Sequence, residues 1–375
     1  MSVARQRARH GVRFLGLGFR VVLFLAVLVL LRALLRIQTS SPTPSGVSES
    51  IKEDGFRVPK VAFLFLVRSN LPLDFVWDTF FKNAQSEKFS IYVHSKPGFV
   101  FDASTTKSTF FYNRQLKNSV KVTWGGSTMI EAERLLLKSA LVDPANQRFV
   151  LLSDSCIPLY NFTYVYNYLM ASHKSFIDIF LDKKEGRYNP KMSSIIPEQK
   201  WRKGSQWIAL VRKHAEMVAS DKTVFPMFKK YCKRLAGTEF TRKPRFKVPG
   251  QKENDCIPDE HYVQTLFSIN GLENEIEKRT ITYTSWNQSK DSTDRQAWHP
   301  KTFSYADAKP QGIKEIKSVD HVNYEMEHRT EWCKCNSNAV PCFLFARKFS
   351  RGAGMRILFD GVVGAFDSGS MRLNS

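Results

Sequence analysis

The sequence predicts an α/β fold: a mainly parallel sheet flanked by helices, preceded by an N-terminal transmembrane helix. Two patterns carry the first part. Short continuous apolar runs mark strands buried on both faces, and they alternate with segments of helical periodicity. That alternation indicates βαβ units and a parallel sheet covered by helices. A third observation carries the membrane helix: the stretch from Phe14 to Leu35 is almost wholly apolar and follows an arginine-rich start.

Arg5, Arg7, Arg9 and Arg13 precede this stretch, against Arg32 and Arg36 at its far end. That imbalance predicts a cytoplasmic N-terminus. Spanning the hydrocarbon core takes about twenty residues, so the stretch suffices. Arg20 and Arg32 interrupt it, each within snorkelling reach of an interface. The rival reading is a cleaved signal peptide with its apolar core at Val21–Leu31, but no small-x-small cleavage site precedes Thr39. Both readings put the remainder in the secretory lumen. Gln38 to Gly55 is rich in Ser, Thr, Pro and acidic residues and reads as a flexible stem. The expected organisation is a cytoplasmic tail at 1–13, a signal-anchor at 14–35, a stem at 36–58 and a luminal domain at 59–375.

In the large domain, Lys60 to Val67 reads as a buried strand, Leu73 to Ala84 as a helix and Phe89 to His94 as a second strand. Thr128 and Glu131 form a capping-box pattern. It opens a helix with Met129, Ala132, Leu136 and Ala140 at helical spacing, stopping at Asp143-Pro144. Phe149 to Leu152 is a third buried strand, ending in Ser153-Asp154-Ser155-Cys156. Ligands of parallel sheets sit beyond the strands' carboxyl ends, which marks Val67, Arg68, His94 and Asp154. Ser205 is expected to cap a helix with Trp207, Ile208, Val211, Ala215 and Val218 on one face. Thr238 to Asp255 reads as a mobile loop, and Ile281 to Trp286 as a strand.

Cys256-Ile257-Pro258-Asp259-Glu260-His261-Tyr262 places two carboxylates after a proline, ahead of an apolar periodic segment. Asp259 reads as a helix N-cap and Glu260 as a first-turn residue. A glutamate held there suits a general base, which must stay ionised within reach of the hydroxyl it deprotonates. First-turn acids are also common simply because they complement the helix dipole.

The chain has 375 residues, 43% apolar and 13% aromatic, which excludes a disordered class. Its formal charge of +21 suits anionic membranes, polyanions or phosphate-bearing small molecules. A nucleic-acid binder is disfavoured because the basic residues are spread out, with no dense arm. Six cysteines in an oxidising compartment favour disulfides. Cys333, Cys335 and Cys342 are the candidates, paired Cys333–Cys342 or Cys335–Cys342. Their spacing is no common zinc pattern, and no metal site is expected. Cys156 has no surrounding nucleophile motif, which disfavours a cysteine hydrolase. Asn161 and Asn287 head sequons.

Taken in order, several of these segments resemble the core-2/I-branching β-1,6-N-acetylglucosaminyltransferase family (glycosyltransferase family 14), especially its plant branch. The matching residues are Phe63 to Arg68, Phe89 to His94, Trp124-Gly125 with Ser127 to Glu131, and Phe149 to Leu159. They continue through Arg187 to Pro190, Trp201 to Trp207, Cys256 to His261, Thr282 to Trp286 and Pro341 to Phe349. The resemblance implies a GT-A-like, Rossmann-type fold in the Golgi lumen and inverting transfer from a UDP-sugar. It implies that Glu260 is the base and that Lys348, with Arg347 beside it, holds the diphosphate. The chain contains no Asp-x-Asp motif. Lysine and arginine supply the electrostatic stabilisation that a metal gives elsewhere, so no cofactor is expected. Trp286 resembles a position near an acceptor-binding aromatic; Trp201 and Trp207 are acceptor-side or core residues. His94 stands where animal members carry an acidic residue contacting the nucleoside. The donor is N-acetylglucosamine by family, with glucuronic acid and xylose as alternatives in plant relatives. A catalytically silent luminal binding protein on the same fold is the competing class.

Overall fold

Six strands drawn from across the chain build the main sheet, and the computed structural model shows why they bury so completely. It describes residues 57–182, 186–234, 255–286, 299–335, 338–361 and 363. The expected membrane anchor, nearly all of the stem, Asn287 and most of the expected loop at Thr238–Asp255 lie outside these residues. Among the described residues no helix is long and apolar enough to cross a membrane.

The first half runs β1 (Lys60–Leu66), α1 (Asp74–Lys82), β2 (Phe89–His94), α2 (Thr128–Leu141), β3 (Asn146–Ser153), β4 (Ile157–Pro158), α3 (Phe162–Ala171) and β5 (Ser175–Phe176). There follow β6 (Ala209–Val211), α4 (Arg212–Ser220), α5 (Val224–Tyr231), α6 (Tyr262–Ile269), β7 (Ile276–Glu277) and β8 (Thr282–Thr284). The last part holds α7 (Pro310–Lys317), β9 (His321–Tyr324), β10 (Arg329–Trp332), β11 (Lys334–Cys335), β12 (Asn338–Ala339), β13 (Phe345–Arg347) and α8 (Arg351–Phe359).

The main sheet has the order β2-β1-β3-β6-β5-β7. β1 pairs parallel with β2 and β3, and β5 pairs parallel with β7. Only β6 runs against its neighbours β3 and β5. The fold is therefore mixed α/β with a mainly parallel sheet. Successive β1 side chains enter opposite cores: Val61, Phe63 and Phe65 one, Ala62, Leu64 and Leu66 the other. The apolar stripe of α1 (Val76, Trp77, Phe80, Phe81) covers the first face, and that of α2 (Ile130, Leu136, Leu137, Ala140) the second. This burial on both faces is what the continuous apolar runs encode.

Three local expectations are corrected. The helix expected from Ser205 begins only at Arg212, because Trp207 to Val211 feeds β6. A short buried strand and a buried helical turn look alike in periodicity. Asp259 does not cap α6: Pro258–Glu260 forms a 3-10 turn, and His261 is the N-cap residue, with no side-chain cap bond. The capping box at α2 is also not formed. Ser127 is the N-cap residue, Thr128 Oγ1 instead accepts from Thr123 N at 2.9 Å, and Glu131 faces Lys229 at 4.0 Å.

A second sheet, β4-β13-β8, has β13 antiparallel to β4 and parallel to β8. The pairs β9/β10 and β11/β12 are antiparallel ribbons. Cys333 bonds to Cys342, which settles the expected alternative against Cys335. A second disulfide, Cys232–Cys256, was not expected. Beyond Phe349, where the matching segments end, the chain contributes α8, in which Gly354 packs against Leu73, Phe75 and Val76. Asn161 caps α3, its Oδ1 accepting from Tyr164 N at 2.9 Å.

One glycine has no room for a side chain. A Cβ on Gly204 would stand 1.8 Å from the Asp178 carbonyl oxygen. Gly204→Ala is therefore expected to destabilise the fold by roughly 3 kcal/mol, the upper end of overpacking costs. Gly312→Ala in α7, with 3.6 Å to the nearest atom, should be neutral or stabilising by about 0.5–1 kcal/mol. Denaturant midpoints of the two variants check the contrast; equal midpoints would contradict it.

Candidate functional site

A cleft of about 1140 Å³ is lined by β8 and the end of β13 in the second sheet, by residues 203–207 and by the Glu260 turn. Glu260, Arg347, Lys348, Trp286 and Trp207 all line it, although they come from distant parts of the sequence. Val67, Arg68 and His94 do not line it; they lie at the carboxyl ends of β1 and β2.

Glu260 closes the 3-10 turn, and its carbonyl accepts from Gly204 N at 2.9 Å. Its carboxylate lies 3.6 Å from Arg187 Nη1 and 3.9 Å from Lys203 Nζ. These cations locate the carboxylate at the cleft wall. Asp259 also lines the cleft but is buried. Burial, then the charge of Glu260, push its carboxyl up to about 7, against the pull of Arg347 and Arg187. Its Oδ1 has no hydrogen-bond partner among the described residues. Behind it Glu133 of α2 is also buried. Burial and then Asp259 push Glu133 well above the usual carboxylate range, against a hydrogen bond from Gln206 Nε2 at 2.7 Å. Sequence reasoning missed Glu133. Its signal was an acid on the apolar stripe of α2, three residues after Ile130 and four before Leu137.

Arg347 ends β13 in register with Thr284 of β8, and its guanidinium lies 4.4 Å from the centre of the Trp207 ring. Lys348 is held by its neighbours: Phe303 N donates to its carbonyl at 2.8 Å, and Phe349 N donates to Ser155 O at 2.9 Å. Burial lowers the pKa of both cations, and Arg347 depresses Lys348 further, while Asp154 opposes the shift at each. Asp154 accepts from Arg68 Nε at 3.0 Å, and Arg68 also acts on Lys348. The strand-end position Arg68 and the cleft thus meet electrostatically at Lys348. Crowded, partly buried cations of this kind gain from a bound anion, which restores the charge compensation that burial removed.

His94 is different. Its imidazole is buried and pushed down to about 4 by that burial, and Nε2 accepts from Val120 N at 3.1 Å. A neutral, inward ring brings no positive charge to the cleft. Val67 is buried too, its N–H donating to His94 O at 2.9 Å.

The tryptophans separate cleanly. Trp201 is a core residue, stacked between Phe228 at 5.5 Å and His261 at 4.6 Å. Trp207 is buried beneath Arg347. Trp286 is 52% exposed and presents an aromatic surface to the cleft. Cys156 is buried and its thiol is raised by burial, so it offers no nucleophile. Among the described residues no group of three His, Cys, Asp or Glu is placed to hold a metal ion.

Comparison with known proteins accounts for this arrangement. Residues 61–317 match the model of the Core-2/I-Branching enzyme family. The chain is 52% identical over 315 residues to "Glycosyltransferase BC10" of Oryza sativa subsp. japonica, covering 83% of this chain and 79% of that protein. The match spans β1, the α2–β3 unit, the Glu260 turn and β8, and the rice protein's name states a glycosyltransferase activity. The chain belongs to the core-2/I-branching enzyme family and is a glycosyltransferase.

Proposed function

We propose that this chain is an inverting, metal-independent transferase that moves a sugar from a UDP-sugar to a hydroxyl of a glycan acceptor. The observation that carries the reading is that Glu260 and the Arg347–Lys348 pair face one cleft. Glu260 takes the proton of the acceptor hydroxyl. The freed oxygen attacks the anomeric carbon on the face opposite the diphosphate, and the bond to UDP breaks with inversion. Negative charge then grows on the phosphate oxygens, where Lys348 and Arg347 stabilise it without reorganising. Trp286 offers its face to the acceptor ring, and Trp207 supports Arg347. The transferred sugar is N-acetylglucosamine by family resemblance, with glucuronic acid and xylose as the alternatives.

The same reading makes the chain a single-pass type II protein of the Golgi membrane, with a GT-A-like domain in the lumen and glycans at Asn161 and Asn287. The two disulfides support the oxidising compartment.

Glu260→Gln is expected to lower turnover by about 10²–10⁴-fold with UDP affinity unchanged, as read by UDP release and calorimetry. Full retained activity would sink the mechanism. Lys348→Ala should lower turnover about 10²–10³-fold and weaken UDP binding as well; the wild-type rate should survive a chelator. The raised carboxyl of Asp259 has a consequence for stability. The folded state keeps this proton up to about pH 7 while the unfolded state loses it near pH 4, so the residue's contribution to stability falls as pH rises through that window. Asp259→Asn should remove that slope, about 1.4 kcal/mol per unit at most. Wild type should therefore lose stability relative to the variant between pH 4 and 7 in thermal unfolding.

A further inference from the structure

Two buried carboxyls at the Glu260 turn have no part in the transfer reaction. Asp259 precedes Glu260 in the chain, lines the same cleft and is buried. Its Oδ1 has no hydrogen-bond partner among the described residues. Glu133 of α2 is buried behind it, and Gln206 Nε2 donates to Glu133 Oε1 at 2.7 Å. Three carboxyls thus crowd one turn, where three negative charges would repel one another.

The cations around them are unevenly shared. Glu260 has Arg187 Nη1 at 3.6 Å and Lys203 Nζ at 3.9 Å. Asp259 is drawn toward its ionised form by Arg347 first and Arg187 second. His261, which follows Glu260, serves neither: its Nδ1 donates to Arg202 O at 2.8 Å, and its Nε2 lies 3.9 Å from Asp182. A diphosphate on the cleft lining at Arg347 would offset the pull of that cation and add repulsion of its own. One carboxylate of the turn then gains by taking a proton. Asp259 is the one that yields, because it is buried and its main counter-charge is the cation that the diphosphate engages. Glu260 keeps two cations within 4.0 Å. Burial and the charge of Glu260 already push Asp259 up to about 7, so its proton exchanges near neutral pH.

We propose that Asp259 takes a proton from solvent when a nucleoside diphosphate occupies the Arg347 end of the cleft, and returns it when the diphosphate leaves. The donor-bound enzyme then holds Glu260 ionised beside a neutral neighbour, the form a general base needs. Asp259 is a positioning residue: it acts through Glu260 and touches no reacting atom. This rests on the proposed roles of Arg347 and Glu260, and proton counting tests it separately from turnover.

UDP is titrated calorimetrically into the full chain in detergent, without metal, in buffers of different ionisation enthalpy. The dependence of the heat on the buffer gives the protons taken up. At pH 7 wild type should take up as much as about half a proton more than Asp259→Asn, because about half of the Asp259 carboxyls are ionised there. Near pH 5, where Asp259 is already protonated, the excess should vanish. By linkage, wild-type affinity for UDP should fall relative to that of Asp259→Asn as pH rises above 7. Glu260→Gln removes the repulsion and should move the excess to lower pH, whereas Glu133→Gln should keep it. Equal proton counts in wild type and Asp259→Asn, an excess lost in Glu133→Gln, or one that stays at the same pH in Glu260→Gln would overturn the coupling. If Asp259→Asn fails to fold, infrared difference spectra of wild type and Glu133→Gln decide: a protonated-carboxyl band must grow when UDP is added at pH 7, and no growth overturns the coupling. UDP that binds with equal proton counts sinks the coupling alone, whereas no UDP binding at all sinks the reading of Arg347 as a donor site and the coupling with it.

Discussion

The close approach of the Gly204 backbone to Asp178 is the constraint on which the site depends. It lets residues 201–207 lie flat against the fold as one extended strap. Along that strap Trp201 stacks between Phe228 and His261. Lys203 pairs with Phe180 through two backbone bonds of 2.8 Å. Gly204 N holds the Glu260 carbonyl, Ser205 N donates to Asp178, Gln206 reaches Glu133, and Trp207 lies under Arg347. Four of these residues thus reach Glu260, the buried Glu133 or Arg347: Lys203 and Gly204 meet Glu260, Gln206 meets Glu133 and Trp207 meets Arg347. A bulkier residue at 204 would lift the strap and misplace all three together, and misplacements of an ångström are costly to catalysis.

Electrostatics explains why the strap is worth its polar content. Glu260 and Asp259 are adjacent, and two neighbouring carboxylates repel. The fold resolves this by burying Asp259 and leaving Glu260 at the cleft wall between Arg187 and Lys203. Asp259 also lies within reach of Arg347, so the adjacent carboxyls and the cleft cations are electrically linked. On the proposed reading, a diphosphate bound at Arg347 would alter the field there and hence at Asp259, next to Glu260.

Much of this was legible in the sequence. The strands β1, β2 and β3 and the helices α1 and α2 fall close to where apolar patterning puts them, because each is long enough to show a period and is packed on a full face. β5, β6 and β7 are two or three residues long. No period fits in that length, so they exist only through their partners, and the stretch before α4 was read as helix. Glu260 was marked by its place after Pro258 and Asp259 and gained its role from motif order, Lys348 was found through motif order alone, and the structure brings both to one cleft. His94 was marked by its strand end, but nothing in a linear pattern reveals that its ring turns inward onto Val120. The Cys232–Cys256 bridge was equally hidden, since cysteine spacing does not give connectivity.

The second sheet ties two sides of the cleft together. β13 ends in Arg347 beside Thr284 of β8, and Trp286 follows two residues later. Arg347 and Trp286, two residues of the cleft lining, are therefore set by the register of a single parallel pair. A one-residue slip would turn Arg347 to the opposite face, because side chains alternate along a strand. The surroundings resist the slip: Phe345 and Ala346 are fully buried between β4 and β8, and Phe303 stacks on Phe349 at 4.7 Å just beyond Lys348. Apolar packing at both ends of a short strand thus fixes where Arg347 and Lys348 stand on the cleft lining.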